Sequence, residues 1–537
     1  LPDASANPHI LVTSRREQVE FADVELDLLD DEQSYSMLVQ EAGKAPENET
    51  EKSAAHEIIS ALNGLPLALE LAGAYLARRR IGWCAYRDLL LNDLKQALPK
   101  QLGSQTQHEA DLFHTLKISE QGIDEEPLLI QVLDLLTWSG SSPMGLPLMA
   151  HLLGVKETEL VGALGLGTAL RLLQKVSDNN RYAIHRLVQE VRRQDHPLDQ
   201  HKDWVNTITQ RLGDWFEAIR DDFYALPLYE MEFEHLRAWQ IHAESFSPVA
   251  SVRLLWLQGY PAYHRGRYDE ASRVVQKALE TYGTQNLDNG LLKAHLFNDL
   301  ASCYAALYDD SRALELGNKA LEMQRELLGN KHPDVATSLS NLTSYHTNLG
   351  DYSRALELGN QALEMRRELL GDKHPDVADS LNNLSTCYSG LGNYSRAFEL
   401  GTEAIELRQR FQSDKHPKIA TSLSNLANFH FAISDYSRAL QFGAEALEMR
   451  QELLGDKHPD VATSLNNLAN FYSRLGDNPR ALELGNEALE MRRELLGESH
   501  PDTISTLLFV LKRLYANPRT SSQGMALAER FLKRIPR

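Results

Sequence analysis

The sequence predicts a mostly α-helical protein, a right-handed α-solenoid of stacked helix pairs behind a smaller mixed front half. Two observations carry that prediction. His-Pro pairs return every 42 residues, at His332-Pro333, His374-Pro375, His416-Pro417, His458-Pro459 and His500-Pro501, and Gly329–Leu370 agrees with Gly455–Leu496 at 31 of 42 positions. Within one unit the apolar residues fall at helical spacing, Val335, Leu339 and Leu342, then Ala355, Leu358, Ala362 and Met365. A fixed period in this range marks a stacked-repeat architecture.

Each unit divides into two helices. Leu349-Gly350-Asp351-Tyr352 separates the apolar runs, and glycine can take the left-handed backbone that ends a helix. The proline of each His-Pro pair has a fixed φ and lacks an amide hydrogen, so it suits the first turn of the next helix. One helix pair cannot bury its own apolar faces, whereas stacked neighbours can. The flanking units are degenerate, beginning at Arg265-Gly266-Arg267-Tyr268 and fraying over Ala516 to Arg537.

Composition bounds what the protein can do. At 537 residues several units are expected. A net charge of −20 argues against nucleic acid or an anionic membrane as partner. No apolar run reaches the roughly 18 residues a spanning helix needs. Cys84, Cys303 and Cys387 have no motif spacing, which argues for a reducing, cytoplasmic setting and against disulfides or zinc. Leu1-Pro2-Asp3-Ala4 shows neither an initiator Met nor a signal-peptide pattern, and reads as the start of a fragment.

Taken in order, His9 to Arg16 reads as a short apolar strand ending in basic residues. Glu25 to Glu32 reads as a strand end and the cap of a helix reaching about Gly43. A helix over Ala54 to Ala77 is interrupted at Gly64-Leu65-Pro66. Helices are expected at Asp111–Gly122, Pro127–Trp138, Leu146–Leu153 and Glu157–Val176, then a hairpin at Ser177–Ile184 and a helix from His185. Helices followed by a wing suggest a winged helix. Its reading stretch carries Glu157, Glu159, Arg171 and Lys175, a poor set for DNA backbone, so a regulatory role is expected. The aromatics Trp204, Trp215, Phe216, Trp239 and Phe246 form the core of a helical connector.

On these residues the repeats resemble the tetratricopeptide repeat, in the long 42-residue form of kinesin light chain: LNNL at 381–384 and 465–468, the Gly-Asp/Asn-Tyr turns, and the HPDVA starts. The front half resembles the C-terminal part of an NB-ARC module of the STAND class of switch ATPases, through ILVTSR at 10–15 and GLPLAL at 64–69. That resemblance implies that Arg15 senses the terminal phosphate of a nucleotide, Pro66 packs beside adenine and His185 reaches the β-phosphate of ADP. Arg186 stands where many relatives have Asp. The sequence has no Gly-x-x-x-x-Gly-Lys-Ser/Thr loop, so the chain is expected to be non-enzymatic and to bind no cofactor by itself. ADP or ATP is expected only in an intact parent, with oligomerisation on activation. The expected domains are an NB-ARC remnant (1–104), a winged-helix-like unit (105–197), a helical connector (198–248) and the solenoid (249–537).

In such a solenoid the first helix of each pair lines the concave face. The polar residues Asn298, Asn382, Thr386, Asn428, Asn466 and Asn470, with Ser302, Ser340, Ser344 and Ser424, are therefore expected to bind the backbone of an extended peptide or protein segment. Asn341, Asn383, Asn425 and Asn467 are expected to tie repeat to repeat. Arg366, Arg408, Arg450 and Arg492 are expected on a solvated face, and the five His-Pro histidines in loop hydrogen bonds rather than a metal site. The leading expectation is a scaffold and sensor of STAND signalling. Its alternatives are a kinesin-light-chain-like adaptor without a nucleotide role, and an ATPase requiring sequence upstream of Leu1.

Overall fold

The computed structural model describes residues 29–62, 64–97, 115, 117–119, 123, 125–176, 180–220, 222–411 and 414–516. The chain divides into two compact units, one ending at Gln200 and the other beginning at His201. The connector segment 198–248 falls almost wholly in the second.

In the first unit, α1 (Asp31–Ala42) opens with a reciprocal cap. Gln33 donates its amide to Asp30 Oδ1 at 2.7 Å, and the Gln33 side chain accepts from the Asp30 amide at 3.3 Å. The Gly-Leu-Pro interruption is a helix boundary, with α2 (Glu49–Ala61) on one side and α3 (Pro66–Arg79) on the other. Gly64 turns there at φ +63°, and a Cβ at this position would stand 2.4 Å from the Leu29 carbonyl oxygen. With α4 (Trp83–Ala97) these helices enclose Leu38, Ile58, Leu69, Leu76, Trp83 and Tyr86.

The expected helices Pro127–Trp138 (α5) and Leu146–Leu153 (α6) have those bounds. Of the expected helix Asp111–Gly122, only residues 115 and 117–119 are described, and these are helical. The third expectation needs correction. Helix α7 runs Glu157–Ala169, not to Val176. Arg171 adopts φ +58°, and the Leu172 and Leu173 amides fold back onto the Gly167 carbonyl at 3.0 and 3.1 Å. Both leucines thereby enter the core, each 1 % exposed. Apolar spacing alone did not distinguish that inward turn from another helical turn. The next residues form β2 (Gln174–Val176), which pairs antiparallel with β3 (Arg181–Ala183). The sheet order is β1-β3-β2, with β1 (Met144–Gly145) against β3. Helix α8 (Arg186–Asp195) follows.

The second unit begins with connector helices whose aromatics interlock: Trp204 meets Trp239 edge-on at 5.5 Å, and Phe216 meets Tyr229 at 4.5 Å. The array proper consists of helix pairs. They are Gly290–Ala306 with Asp310–Leu328, Pro333–Asn348 with Tyr352–Leu370, Pro375–Gly390 with Tyr394–Phe411, Pro417–Ala432 with Tyr436–Leu454, and Pro459–Leu475 with Asn478–Leu495. A degenerate pair precedes them and the helix Pro501–Ala516 follows. Each His-Pro histidine caps a first helix, its Nδ1 accepting the amide two residues on at 3.1–3.2 Å.

Candidate functional site

The arginines expected on a solvated face are buried. Arg366, Arg408, Arg450 and Arg492 are between 2 % and 5 % exposed. Residues 359, 362, 363 and 366 share one helical face, and that face packs on the neighbouring helices. Each guanidinium uses Nη1 to donate to the carbonyl ten residues on and to the hydroxyl fourteen on, and Arg366 Nη1 donates to Ser340 Oγ at 3.2 Å as well. For Arg366 that carbonyl and hydroxyl belong to Asp376 at 2.9 Å and Ser380 at 2.8 Å; for Arg450, Asp460 at 3.1 Å and Ser464 at 2.7 Å. Gln324 takes the same place in the preceding repeat, accepting from the Ser338 hydroxyl at 2.6 Å. The result is a polar ladder that pins each second helix to the first helix of the next pair.

A second ladder runs through the first helices. Asn341 donates to Asn298 Oδ1 at 3.1 Å, Asn383 to Ser340 Oγ at 3.1 Å, Asn425 to Asn382 Oδ1 at 3.2 Å, and Asn467 to Ser424 Oγ at 3.5 Å. These bonds link successive repeats at a spacing of 43 residues. Asn298 and Asn382 thus have their carbonyl oxygens committed to the ladder, the latter also to Ser422 at 2.8 Å. Their Nδ2 groups donate to nothing among the described residues.

The predicted groove residues separate at this point. Asn298, Ser302, Ser340, Ser344 and Asn382 line one cavity of about 490 Å³ on the inner side of the array. Thr386, Asn428, Asn466 and Asn470 do not line it. Thr386 donates to the Asn383 carbonyl, Asn428 is exposed, and Asn470 donates to the Asn466 carbonyl. Asn466 Oδ1 is buried without a partner. The hydroxyl and amide that serve Asn382 are replaced here by Thr506, which bonds elsewhere, and Phe509.

Sequence reasoning missed much of the wall. Arg220, Trp256 and Tyr263 close the cavity from the connector and first repeat, and Arg366, Asp379, Arg408 and Lys418 supply charge. Asp379 departs from the Thr found at the same place in the other repeats (Thr337, Thr421, Thr463), a signal visible in the alignment of units. Its oxygens take Arg408 at 2.6 Å and Lys418 at 2.7 Å. Burial alone would raise this carboxyl, but Lys418, Arg408 and Arg366 hold it well below the usual carboxylate range.

The array also closes on itself. The Tyr224 hydroxyl donates to the Lys415 carbonyl, His458 Nε2 approaches the His264 carbonyl at 3.2 Å, and Tyr308 donates to Asp502 Oδ1 at 2.9 Å. Early turns therefore rest on the His-Pro caps of later repeats and narrow the groove to the cavity.

The nucleotide residues implied by resemblance lie in the first unit. Arg15 is outside the described residues. Pro66 is exposed at the first position of α3. His185 is half-buried at the start of α8, where its carbonyl accepts the Gln189 amide at 2.9 Å and burial lowers its pKa. Arg171, on the expected reading stretch, pairs with Glu41 at 3.1 Å and Glu70 at 3.3 Å, which occupies that cation within the unit. Among the described residues no group of three His, Cys, Asp or Glu could hold a metal ion, and no helix is long and apolar enough to cross a membrane.

Comparisons with known proteins agree with this architecture. The tetratricopeptide repeat family model matches residues 254–326, 312–368, 344–410, 418–494 and 460–510, so the second unit carries a tetratricopeptide array, the architecture of a protein-interaction scaffold. No curated protein matches the chain. Among solved structures, the chain is similar to a signal transduction ATPase with numerous domains (STAND) protein with a tetratricopeptide repeat sensor from Pyrococcus horikoshii. That match has 13 % identity and a TM-score of 0.54, and covers 94 % of this chain and 72 % of that one. It shows a shared fold. A putative kinesin light chain with nearly identical repeats from Podosopora anserina matches at 21 % identity and a TM-score of 0.31, over 39 % of this chain and 99 % of that one. NprR in complex with its cognate peptide NprX matches at 15 % identity and a TM-score of 0.43, over 60 % and 89 %.

Proposed function

We propose that the protein is a non-enzymatic interaction scaffold whose array receives an extended segment of a protein partner on its inner face. The observation that carries this reading is the cavity of about 490 Å³, within the size range of ligand sites, into which first-helix polar groups project. The amide donors of Asn298 and Asn382 and the hydroxyls around them suit the backbone of a peptide whatever its sequence. Selection of peptides from a random library on the full chain tests it, with the half-buried Ser344 replaced by Tyr to fill the cavity. Affinity of a selected peptide should fall at least about tenfold in the Ser344→Tyr variant, equivalent to about 1.4 kcal/mol, with melting unchanged. Unchanged affinity would place the ligand site elsewhere.

For the first unit, the helix and strand order from Pro127 to Asp195 and the fold shared with a STAND protein support the reading of a regulatory winged helix behind an NB-ARC remnant. In this reading Arg15, Pro66 and His185 face ADP or ATP in an intact parent, and the array reports ligand binding to that switch. Nucleic acid and membrane are not its partners. The sequence lacks a phosphate-cradling loop, so this chain alone binds neither nucleotide tightly. Calorimetry should detect no affinity in the low-micromolar range for ATP or ADP, and a clear isotherm in that range would contradict the reading. An adaptor role without any nucleotide is the alternative, and a phosphate loop in the longer reading frame distinguishes the two.

A further inference from the structure

The arginine ladder contains its own control, because the same side chain occupies the same place four times. In three of the four, Nη2 has a partner 29 residues earlier in the chain, whereas the third bond of Arg366 is made by Nη1, to Ser340 Oγ at 3.2 Å. Arg408 Nη2 meets Asp379 Oδ1 at 2.6 Å, Arg492 Nη2 meets Thr463 Oγ1 at 3.1 Å, and Arg450 Nη2 meets Thr421 Oγ1 at 3.5 Å. At Arg366 the corresponding residue is Thr337, and Arg366 Nη2 makes no hydrogen bond to it or to any other described residue. Nε is buried without a partner in all four arginines, so the difference is confined to Nη2. Arg366 thus presents an Nη2 edge without a partner among the described residues, where its siblings have one.

That edge belongs to the cavity wall. Arg366 and Thr337 both line it, and Arg366 is only 5 % exposed. The charged lining comprises four cations (Arg220, Arg366, Arg408 and Lys418) and two carboxylates (Asp299 and Asp379), an excess of two positive charges in a chain whose net charge is −20. Both carboxylates are engaged. Asp379 has one oxygen on Arg408 and the other on Lys418, while Asp299 accepts from the Trp256 indole at 2.8 Å and lies 3.6 Å from Arg220. The nearby His264 ring is neutral at pH 7, its pKa lowered to about 4 by burial and by Lys418 and Arg220.

We propose that Arg366 is the specificity residue of the groove and binds an aspartate or glutamate side chain of the partner peptide. The inference rests on the groove reading above and names the chemistry of its ligand. A carboxylate is the group a guanidinium recognises through charge-assisted N–H donors, and the free Nη2 supplies them. The Asn298 and Asn382 amide donors then bind main-chain carbonyls on either side, so the site reads one acidic residue in an otherwise sequence-tolerant segment.

The test is selection from a random dodecapeptide library fused through its C-terminus to a carrier, so that acidic side chains are the only carboxylates offered. The full chain is the bait. Each selected peptide is then titrated against its Asp→Asn or Glu→Gln counterpart. Arg366→Gln copies the Gln324 rung and should keep the fold. Arg450→Gln alters the same rung where Nη2 has a partner. We expect the wild-type pool to be enriched in Asp and Glu, and the selected peptide to lose at least about tenfold in affinity on conversion to the amide. The Arg366→Gln variant should bind both forms alike, and Arg450→Gln should retain the preference. A pool without acidic enrichment, or an undiminished preference in Arg366→Gln, overturns the assignment while leaving the groove in place. If Arg366→Gln melts early, the wild-type comparison of acid and amide peptides decides. Failure to select any peptide overturns the groove reading and this inference with it.

Discussion

The first unit uses each of its contacts once, whereas the array repeats its contacts from one unit to the next. In the first unit Gly64, the Asp30–Gln33 cap and the ion pairs of Arg171 each solve a local problem with no second copy for comparison. In the array every rung has siblings, so a departure is visible against them. Asp379 where others have Thr, Asn466 without its partners, and Arg366 with an Nη2 that lacks the partner its siblings have are each anomalies of that kind. Repetition thus separates what holds the solenoid together from what is left for a ligand.

The largest expected effect breaks the ladder itself. Arg408→Ala removes two Nη1 bonds and leaves Asp379 with Lys418 alone, in a site where the guanidinium is 3 % exposed. Breaking such a buried pair should cost about 3–5 kcal/mol, read as a lower denaturation midpoint of the array. An effect below about 1 kcal/mol would mean that the rungs are not structural.

Next in size is a change confined to the first unit. Gly64→Ala combines a positive φ with a Cβ 2.4 Å from the Leu29 carbonyl, and should destabilise that unit by about 2–3 kcal/mol. Hydrogen exchange resolved by segment should show faster exchange in α1 and α3. Equal acceleration across the array would show that the two units do not unfold separately.

Acid should loosen the contacts that close the groove. Burial, together with Lys418 and Arg408, lowers the His416 pKa to about 4 despite Asp379 and Asp222, and His264 is lowered similarly. Folded values below the unfolded value of about 6.5 mean that stability is complete above pH ~6.5 and is lost as pH falls toward 4. Melting temperature should fall across that window, and less so in His416→Asn, which retains a capping side chain. A flat profile would contradict the burial of neutral rings at this contact.

The smallest effect is expected from Asp379→Thr, which gives the Arg408 rung the partner used by its siblings. At pH 7 the change should stay within about 1 kcal/mol. The wild-type carboxyl is held low, so its contribution is present above the ordinary carboxylate pKa of about 4 and is lost as pH falls below it. The variant should lack that acid limb in urea titrations. A cost of several kcal/mol at pH 7 would show that the carboxylate is essential rather than interchangeable.

Much of the array was legible in the sequence because period, proline and glycine all specify the same helix boundaries. The expected starts at Pro333, Pro375, Pro417 and Pro459 are the observed ones. The environment of the arginines was not, since a charged residue on an apolar stripe looks solvated until its partners ten and fourteen residues on are known. Spacing from Gly359 and Ala362 could have revealed it. The end of α7 was hidden because Leu172 and Leu173 suit a helix and a buried turn equally well. The cavity lining was half legible. Register identified Asn298 and Asn382, but long-range closure by Tyr224, His264 and Tyr308 decides which rungs border the cavity, and no local pattern encodes contacts about 190 residues apart.

Photo-crosslinking asks whether the inner face of the array holds the partner segment. A benzophenone amino acid placed at Ser344 lies on the cavity wall, and one at Glu364 lies on the exposed outer side of the second helix of the same repeat. With a library-selected peptide, the account predicts crosslinking from position 344 and none from 364. Crosslinking from 364 with none from 344 would contradict it.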